Sequence, residues 1–402
     1  MPELSDTATR TAGRARIAVA ALFLTNGALF ANLLPRYPEI KAELGLSNTA
    51  FGLSVAAFSA GALLTGITAG VLIRRLGSAR VAVLSSVGVA VLIVAAGLSA
   101  SPVMFAVVLF AAGGCDAVTD VAQNAHGLRV QRSYGRSIIN SLHALWSVGA
   151  VLGGAIGAAA IALNIPRAVQ LTATSTVLAS VCVIAYRFLL PGHDEPADQG
   201  AGHRSRSGPT RKTYLLLAGL ALLAIAGAAV EDAGSSWATV YLHTELGAPA
   251  ALAAVGFIAL VAFQFVGRLL GDRLVDRFGE RAVVRAGGLA TAAGMGVALI
   301  FPGVVTTIGG FAVAGLGVAT VVPAAFHGAD RVPGLAPGTG LTLVTWLMRI
   351  GFLAAPAIVG SVSDATSLRL GLVIVPIAGV TIAVCAAALP RRVSAPGPPV
   401  RS

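Results

Sequence analysis

Asp116, Asp120 and Asn124 follow one another at i, i+4 and i+8 of an otherwise apolar stretch, with Gln123 beside them. One helix face would therefore carry a stripe of carboxylates and amides. Glu231 and Asp232 sit side by side inside a second apolar run, and Arg349 lies inside a third. Ionisable groups are costly in hydrocarbon and persist where they meet a water-filled path, a partner or a solute. Carboxylates so placed can bind and release protons, which makes Asp116, Asp120 and Glu231 candidates for proton coupling. An arginine stays charged, so Arg349 needs an anion: a carboxylate of the chain, which is the favoured reading, or a group on a substrate.

Rise per residue places these groups in depth. Counted from Pro102, Asp116 lies about 21 Å and Asp120 about 27 Å along a helix; Glu231 lies about 26 Å beyond Tyr214, and Arg349 about 16 Å beyond a helix start at Thr339. Two plainer readings stay open. Asp116 can belong to a wetted helix end, and one of Glu231 and Asp232 can cap or solvate an external mouth. Arg268 stands four residues before Asp272, which reads as a simple i, i+4 ion pair.

Other polar and aromatic residues in the same stretches complete a candidate binding pocket: Asn26, Asn32, Asn124, Asn140, His143, Trp146, Trp237, Gln264 and Trp346. A tryptophan near the end of a span is commonly an interfacial anchor, whereas Trp146 and Trp346 lie well inside. Amides, a histidine and flat rings suit a hydroxylated solute, since rings stack on C–H faces while amides pair with hydroxyls.

The elements that must position these residues are membrane helices. Hydrophobic residues make up 56% of the 402-residue chain and charged ones 11%, against roughly 25% charged in a soluble domain. About 20 apolar residues cross the hydrocarbon of a bilayer. Twelve candidate spans run near 16–34, 48–73, 80–99, 102–126, 137–162, 165–190, 213–242, 249–274, 281–301, 304–328, 338–362 and 367–390. Spans three, six, nine and twelve have apolar interiors and can face lipid; the ionisable residues gather in spans four, five, seven, eight and eleven.

The chain also repeats itself. Glu43-Leu44-Gly45 returns as Glu245-Leu246-Gly247, and Arg75-Leu76-Gly77 as Arg277-Phe278-Gly279, both at a shift of 202 residues. Such duplication in an apolar chain marks secondary transporters whose solute site lies between the repeats. The expected organisation is a cytoplasmic tail (1–15), a six-helix bundle (16–190), a polar cytoplasmic linker (191–212), a second six-helix bundle (213–390) and a cytoplasmic tail (391–402).

Arginine sets the orientation. Arg74, Arg75, Arg80, Arg129, Arg132, Arg136, Arg277 and Arg281 fall on the side of the termini, and the opposite loops keep Arg36, Lys41, Arg167 and Arg369. By the positive-inside rule both termini are cytoplasmic. The net charge of +11 follows that bias and does not argue for nucleic acid. The first apolar run reads as an uncleaved span. Cys115, Cys182 and Cys385 lie inside spans without disulfide or metal spacing, and His193 and His203 read as solvated linker residues. Neither Lys41 nor Lys212 follows a glycine, so a phosphate-cradling loop is excluded. No catalytic grouping has nucleophile spacing, so an enzyme is not expected.

Gly70-Val71-Leu72-Ile73-Arg74-Arg75-Leu76-Gly77 resembles the loop motif G-x-x-x-D-R-x-G of the major facilitator superfamily, with Arg74 at the aspartate position. Its second copy, Asp272 to Gly279, keeps Asp276 and Arg277 but has Asp272 at the leading glycine. The resemblance implies that Arg74, Arg75, Gly77, Arg268, Asp272, Asp276, Arg277 and Gly279 serve gating. Within the superfamily the chain is similar to the fucose permease and rhizopine transport protein-like branch. The matching stretches are Asp120-Val121-Ala122-Gln123-Asn124, His143-Ala144-Leu145-Trp146-Ser147-Val148-Gly149, Phe265-Val266-Gly267-Arg268 and Gly360-Ser361-Val362-Ser363-Asp364. This likeness implies a role for Asp120 in proton coupling or substrate binding. Ala31-Asn32 stands before Leu33-Leu34-Pro35 where those permeases carry a carboxylate, which leaves Glu231 as the candidate second acid.

The expected protein is an all-α, twelve-helix transporter in the major facilitator fold, moving a small polar, sugar- or cyclitol-like solute with protons by alternating access. The alternatives are a proton-antiport exporter of drugs or metabolites and a non-transporting membrane sensor or scaffold. Its partners would be the solute, protons and the lipid bilayer of the plasma membrane, with no cofactor or metal, and it would act as a monomer.

Overall fold

Gly77 and Gly279, which follow the two copies of the arginine motif, share one backbone geometry, with φ of +82° and +84°. Gly45 and Gly247, which close the Glu-Leu-Gly fragments, do the same at +61° and +65°. Only glycine adopts these values without cost, so each repeated fragment marks a turn that ends a helix. The computed structural model describes residues 2–135, 138–192, 210–335 and 338–390, with side chains from residue 12 onward except that of Asn140. Most of the linker, with His193 and His203, and the C-terminal tail lie outside the described residues.

Among the described residues, twelve helices are long and apolar enough to cross a membrane: Ala12–Glu43, Asn48–Leu76, Ser78–Gly97, Pro102–Tyr134, Ser141–Ala162, Arg167–Tyr186, Arg211–Thr244, Ala250–Phe278, Glu280–Ile300, Val304–Asp330, Thr339–Ala365 and Leu368–Ala388. No strand occurs among the described residues. Local chemistry starts several of these helices. Ser47 and Ser101 accept from the backbone N–H of Ala50 and Met104, at 3.1 and 3.2 Å, and Thr210 forms a capping box with Thr213. These caps satisfy first-turn donors that have no partner within the helix.

Each half uses the same packing. Span two crosses span four, and span eight crosses span ten. A Cβ added at Gly113 would come within 1.9 Å of the Phe58 carbonyl oxygen, and one at Gly315 within 2.0 Å of that of Leu260. Both members of this contact are shifted by the same 202 residues. Small residues allow such backbone approach where lipid, as apolar as leucine, gives no other drive to associate. Spans one and five, and seven and eleven, pack likewise, and the halves meet through span two on eleven and span five on eight. Spans three, six, nine and twelve leave Leu84, Val177, Leu289 and Ile377 among their exposed side chains, as expected of lipid-facing helices.

The repeated glutamates have a matching task. Glu43 pairs with Arg167 at the start of span six. Glu245 accepts from the backbone N–H of Leu368 and Arg369 at the start of span twelve, at 2.6 and 3.2 Å. Each therefore ties the end of its half's first helix to the beginning of its sixth.

Both described chain ends lie at one end of the molecule, here the near end, together with Gly77 and Gly279. The far end is clamped. Gly52 faces the Pro356 carbonyl and Gly360 that of Asn48, at 2.2 and 2.3 Å from a notional Cβ. Behind them Tyr37, Phe51 and Trp237 stack edge to face, with centroids 5.2 and 5.1 Å apart, and all three are fully buried. Asp120 and His143, on inward faces of spans four and five, are nevertheless exposed. With the far end shut, the space they line opens toward the near end.

Candidate functional site

The stripe expected on span four is present, and its members have different partners. Asp116 is half-buried; its Oδ1 accepts from Asn26 Nδ2 at 2.8 Å, and Asn26 Oδ1 accepts from Trp146 Nε1 at 2.8 Å. Asn26 is itself 5% exposed. It therefore positions Asp116 and Trp146 and does not present its amide to the open space. One turn further, Asp120 Oδ1 accepts from Asn124 Nδ2 at 3.0 Å, and Asn124 Oδ1 meets His143 Nε2 at 3.2 Å. Because that amide oxygen only accepts, the network assigns a proton to His143 Nε2. Phe23 holds the imidazole edge-on, with centroids 5.2 Å apart.

Span seven separates its two acids. Glu231 is half-buried and accepts from Gln264 Nε2 at 2.9 Å. Asp232 points the other way: it is 9% exposed and meets the Ser236 hydroxyl at 3.4 Å. The reading of Asp232 as a solvated external mouth is corrected, since packing of span seven against neighbouring helices buries that face. Gln264, at 2% exposure, is engaged with Glu231 and is not free for a solute.

The two arginines depart from expectation. Arg268 Nη1 reaches across to Ser147 Oγ of span five, at 3.0 Å, and makes no ion pair with Asp272. A helical i, i+4 spacing permits a pair but does not compel one, and here the guanidinium turns inward while Asp272 is exposed. Arg349 is close enough to act electrostatically on Asp116 and Asp120, yet it has no ion pair or hydrogen bond among the described residues. The favoured internal partner is therefore not in contact in this conformation. Trp346, one turn away, is 50% exposed.

Other expected binding residues lie elsewhere. Asn32 is fully buried, and its Oδ1 accepts from Gln170 Nε2 at 2.7 Å. Gln170 Oε1 in turn accepts from Arg36 Nε at 2.7 Å. This network continues through Glu39 to Arg167 and closes the far end of the first half. Trp237 belongs to the buried aromatic stack. The side chain of Asn140 lies outside the described residues. At the near end Arg74, Arg75, Asp272 and Asp276 are exposed, and Arg277 lies over the Phe278 ring at 5.3 Å. The motif copies share a turn, and those four side chains form no ion pair among the described residues.

Sequence reasoning missed several partners. Ser147 lies inside the fifth-helix stretch already singled out, yet nothing in the sequence aims a serine at an arginine 121 residues away. Ser78 Oγ meets the buried His126 Nδ1 at 2.9 Å, and Glu280 Oε1 meets His327 Nδ1 at 3.2 Å. In each half the residue after the motif glycine thus holds a histidine of the fourth helix. The residues after the repeated glycines differ, and His126 and His327 fall outside the 202-residue shift, so the duplication did not point to this contact.

Comparison with known proteins gives one consistent answer. The family model described as Major Facilitator Superfamily matches residues 19–274. "Uncharacterized transporter y4wD" of Sinorhizobium fredii (strain NBRC 101917 / NGR234) is 29% identical over 371 residues, covering 92% of this chain and 97% of that protein. Membrane protein MosC of Rhizobium meliloti is 28% identical over 372 residues, covering 91% of this chain and 88% of that protein. The crystal structure of a D-xylose-proton symporter superposes with a TM-score of 0.71 at 14% identity, covering 93% of this chain and 96% of that one. At that identity the likeness establishes the fold.

Proposed function

Because the chain belongs to the Major Facilitator Superfamily, and is therefore a multi-pass membrane transporter and not an enzyme, we propose that it couples protons to the movement of a small hydroxylated organic solute by alternating access. The observation that carries this reading is Asp120. Its carboxylate is exposed, is held by Asn124, which in turn meets His143, and lies within electrostatic reach of Arg349.

A carboxylate in that position can be charged while water reaches it and neutral when the halves close over it. Deprotonated, Asp120 attracts Arg349 across the gap; protonated, it releases that attraction. Protonation thus changes which closure is favourable, which is what a coupled carrier needs. Asp116 and Glu231 are the accompanying acids, each held by an amide.

Residues 16–190 and 213–390 are the two bodies that rock, with the linker 191–212 between them. Both termini are cytoplasmic in a plasma membrane, the protein works as a monomer, and the structure is then open to the cytoplasm. The D-xylose-proton symporter named above supports a sugar-like solute and proton coupling by likeness of fold alone.

The test is internal pH in proteoliposomes while hexoses, deoxysugars, cyclitols and sugar acids are added singly. Substrate-dependent acidification is expected. Asp120→Asn should abolish proton-driven accumulation while leaving solute exchange intact; unchanged pH-driven uptake in that variant would remove Asp120 from the mechanism.

A further inference from the structure

Of the three inward acids, two stand on the first half, and both inward arginines stand on the second. Asp116 and Asp120 stand on span four, each with one oxygen taken by an amide, from Asn26 at 2.8 Å and Asn124 at 3.0 Å. The cations stand on the opposite half. Arg349 on span eleven acts electrostatically on both aspartates without touching either, and Arg268 on span eight has a neutral hydroxyl, Ser147 Oγ at 3.0 Å, as its described partner. Glu231, the inward acid of that same half, is held by Gln264. Among the described residues, then, Arg349 has no counter-ion in contact.

A guanidinium kept among apolar helices without an anion in contact implies that an anion arrives. One candidate is Asp120 itself, on closure of the empty carrier. Closure of the loaded carrier is different, because a protonated Asp120 offers Arg349 no charge. If the solute were neutral, Arg349 would be enclosed with Asp116, already held by Asn26 and not in contact with it, as the one remaining acid of span four. A solute carboxylate supplies a counter-ion, and the planar fork of arginine matches it with two hydrogen bonds. The free oxygens of Asp116 and Asp120, with the His143 ring, meet hydroxyl groups on the other side. A dianionic phosphate fits poorly, since one guanidinium would face two negative charges beside two carboxylates.

We propose that the solute is a small polyhydroxylated carboxylic acid, its carboxylate bound by Arg349 on span eleven and its hydroxyls by the Asp116–Asp120 face of span four. This rests on the proton-coupled transporter reading above. One proton on Asp120 and one anion on Arg349 enter together, so the loaded step carries no net charge. The proton comes from water on one side and returns to water on the other.

The experiment uses the full chain in proteoliposomes preloaded with glucuronate or with glucose, a pair differing at one carboxylate. Counterflow of labelled glucuronate is expected, with glucose at least about tenfold weaker, the difference of one charge-assisted interaction. Arg349→Gln should raise the half-saturation concentration for glucuronate about tenfold or more, and Arg349→Lys should fall between, since lysine keeps the charge but loses the fork. Accumulation driven by a pH gradient should be unaffected by a potential set with potassium and valinomycin. Equal exchange of glucose and glucuronate, or a glucuronate affinity unchanged in Arg349→Gln, overturns the acid while leaving the transporter reading in place. Exchange of neither sugar overturns the polyhydroxylated solute itself, and this proposal with it.

Discussion

The carboxylate of Asp364, at the end of span eleven, receives the backbone N–H of Thr49 at 2.7 Å, and that of Asn48 at 2.9 Å, in the first turn of span two. A residue of the second half thus caps a helix of the first, at the far end where the halves are clamped. Anions are favoured at helix N-termini by the unsatisfied N–H groups and the dipole. The bond can exist only while that end is closed.

Asp364→Ala should therefore favour opening of the far end. Ser54, 5% exposed on span two, is a suitable reporter: a cysteine at this position should react faster with a maleimide in the Asp364→Ala background. Equal labelling rates in the two backgrounds would show that the cap does not hold the clamp.

Gly113→Ala and Gly315→Ala should each destabilise the fold, because the added methyl would lie 1.9 or 2.0 Å from a backbone carbonyl oxygen. Overpacking of this kind costs about 1–3 kcal/mol or more. Gly296 has nothing within 4 Å of a notional Cβ, so Gly296→Ala serves as the control and should unfold with the parent. Thermal unfolding in detergent, followed by tail-free fluorescence or circular dichroism, distinguishes them.

Trp237 has no exposed surface, and its Nε1 has no hydrogen-bond partner among the described residues. Trp237→Phe should consequently be close to neutral for stability, since it removes an unsatisfied donor along with some packing. Trp237→Ala should cost about 3–5 kcal/mol through the cavity it leaves beside Phe51. A Phe variant as unstable as the Ala variant would mean that the indole N–H is satisfied.

Asn26→Leu removes the amide that links Trp146 to Asp116. The loss leaves a carboxylate and an indole N–H without partners, at about 1–3 kcal/mol for each buried group. Proton-coupled uptake should fall further than solute counterflow, because the acid is disturbed while Arg349 is not. Equal losses in both assays would place Asn26 at the solute.

Duplication was legible because identity persists where geometry has no alternative. Gly45 and Gly247, or Gly77 and Gly279, need backbone angles that other residues resist, and Glu43 and Glu245 each tie the sixth helix of their half. Where the geometry can be met in other ways, the repeat fades: Glu43 meets an arginine side chain, and Glu245 meets backbone N–H groups. The acidic stripe was legible too, since spacing alone puts Asp116, Asp120 and Asn124 on one face. Asn26, Asn32 and Gln264 were read as solute-facing amides because a sequence gives the type of a polar group and not its direction. The structure directs two of them at carboxylates and one at Gln170.

The sequence by itself determined that twelve apolar segments cross a membrane and repeat as two sets of six, since hydrocarbon excludes an unpaired backbone and fixes the length of each helix. It also determined which segments carry charge. Only the tertiary structure decided which charges meet. Asn26 with Asp116, Gln264 with Glu231, Ser147 with Arg268 and Thr49 with Asp364 are contacts between different helices, set by crossings that depend on backbone approach at scattered glycines. Arg349 is the sharpest case: its need for an anion is written in the chain, while the absence of one in contact among the described residues depends on how the helices of the two halves are placed.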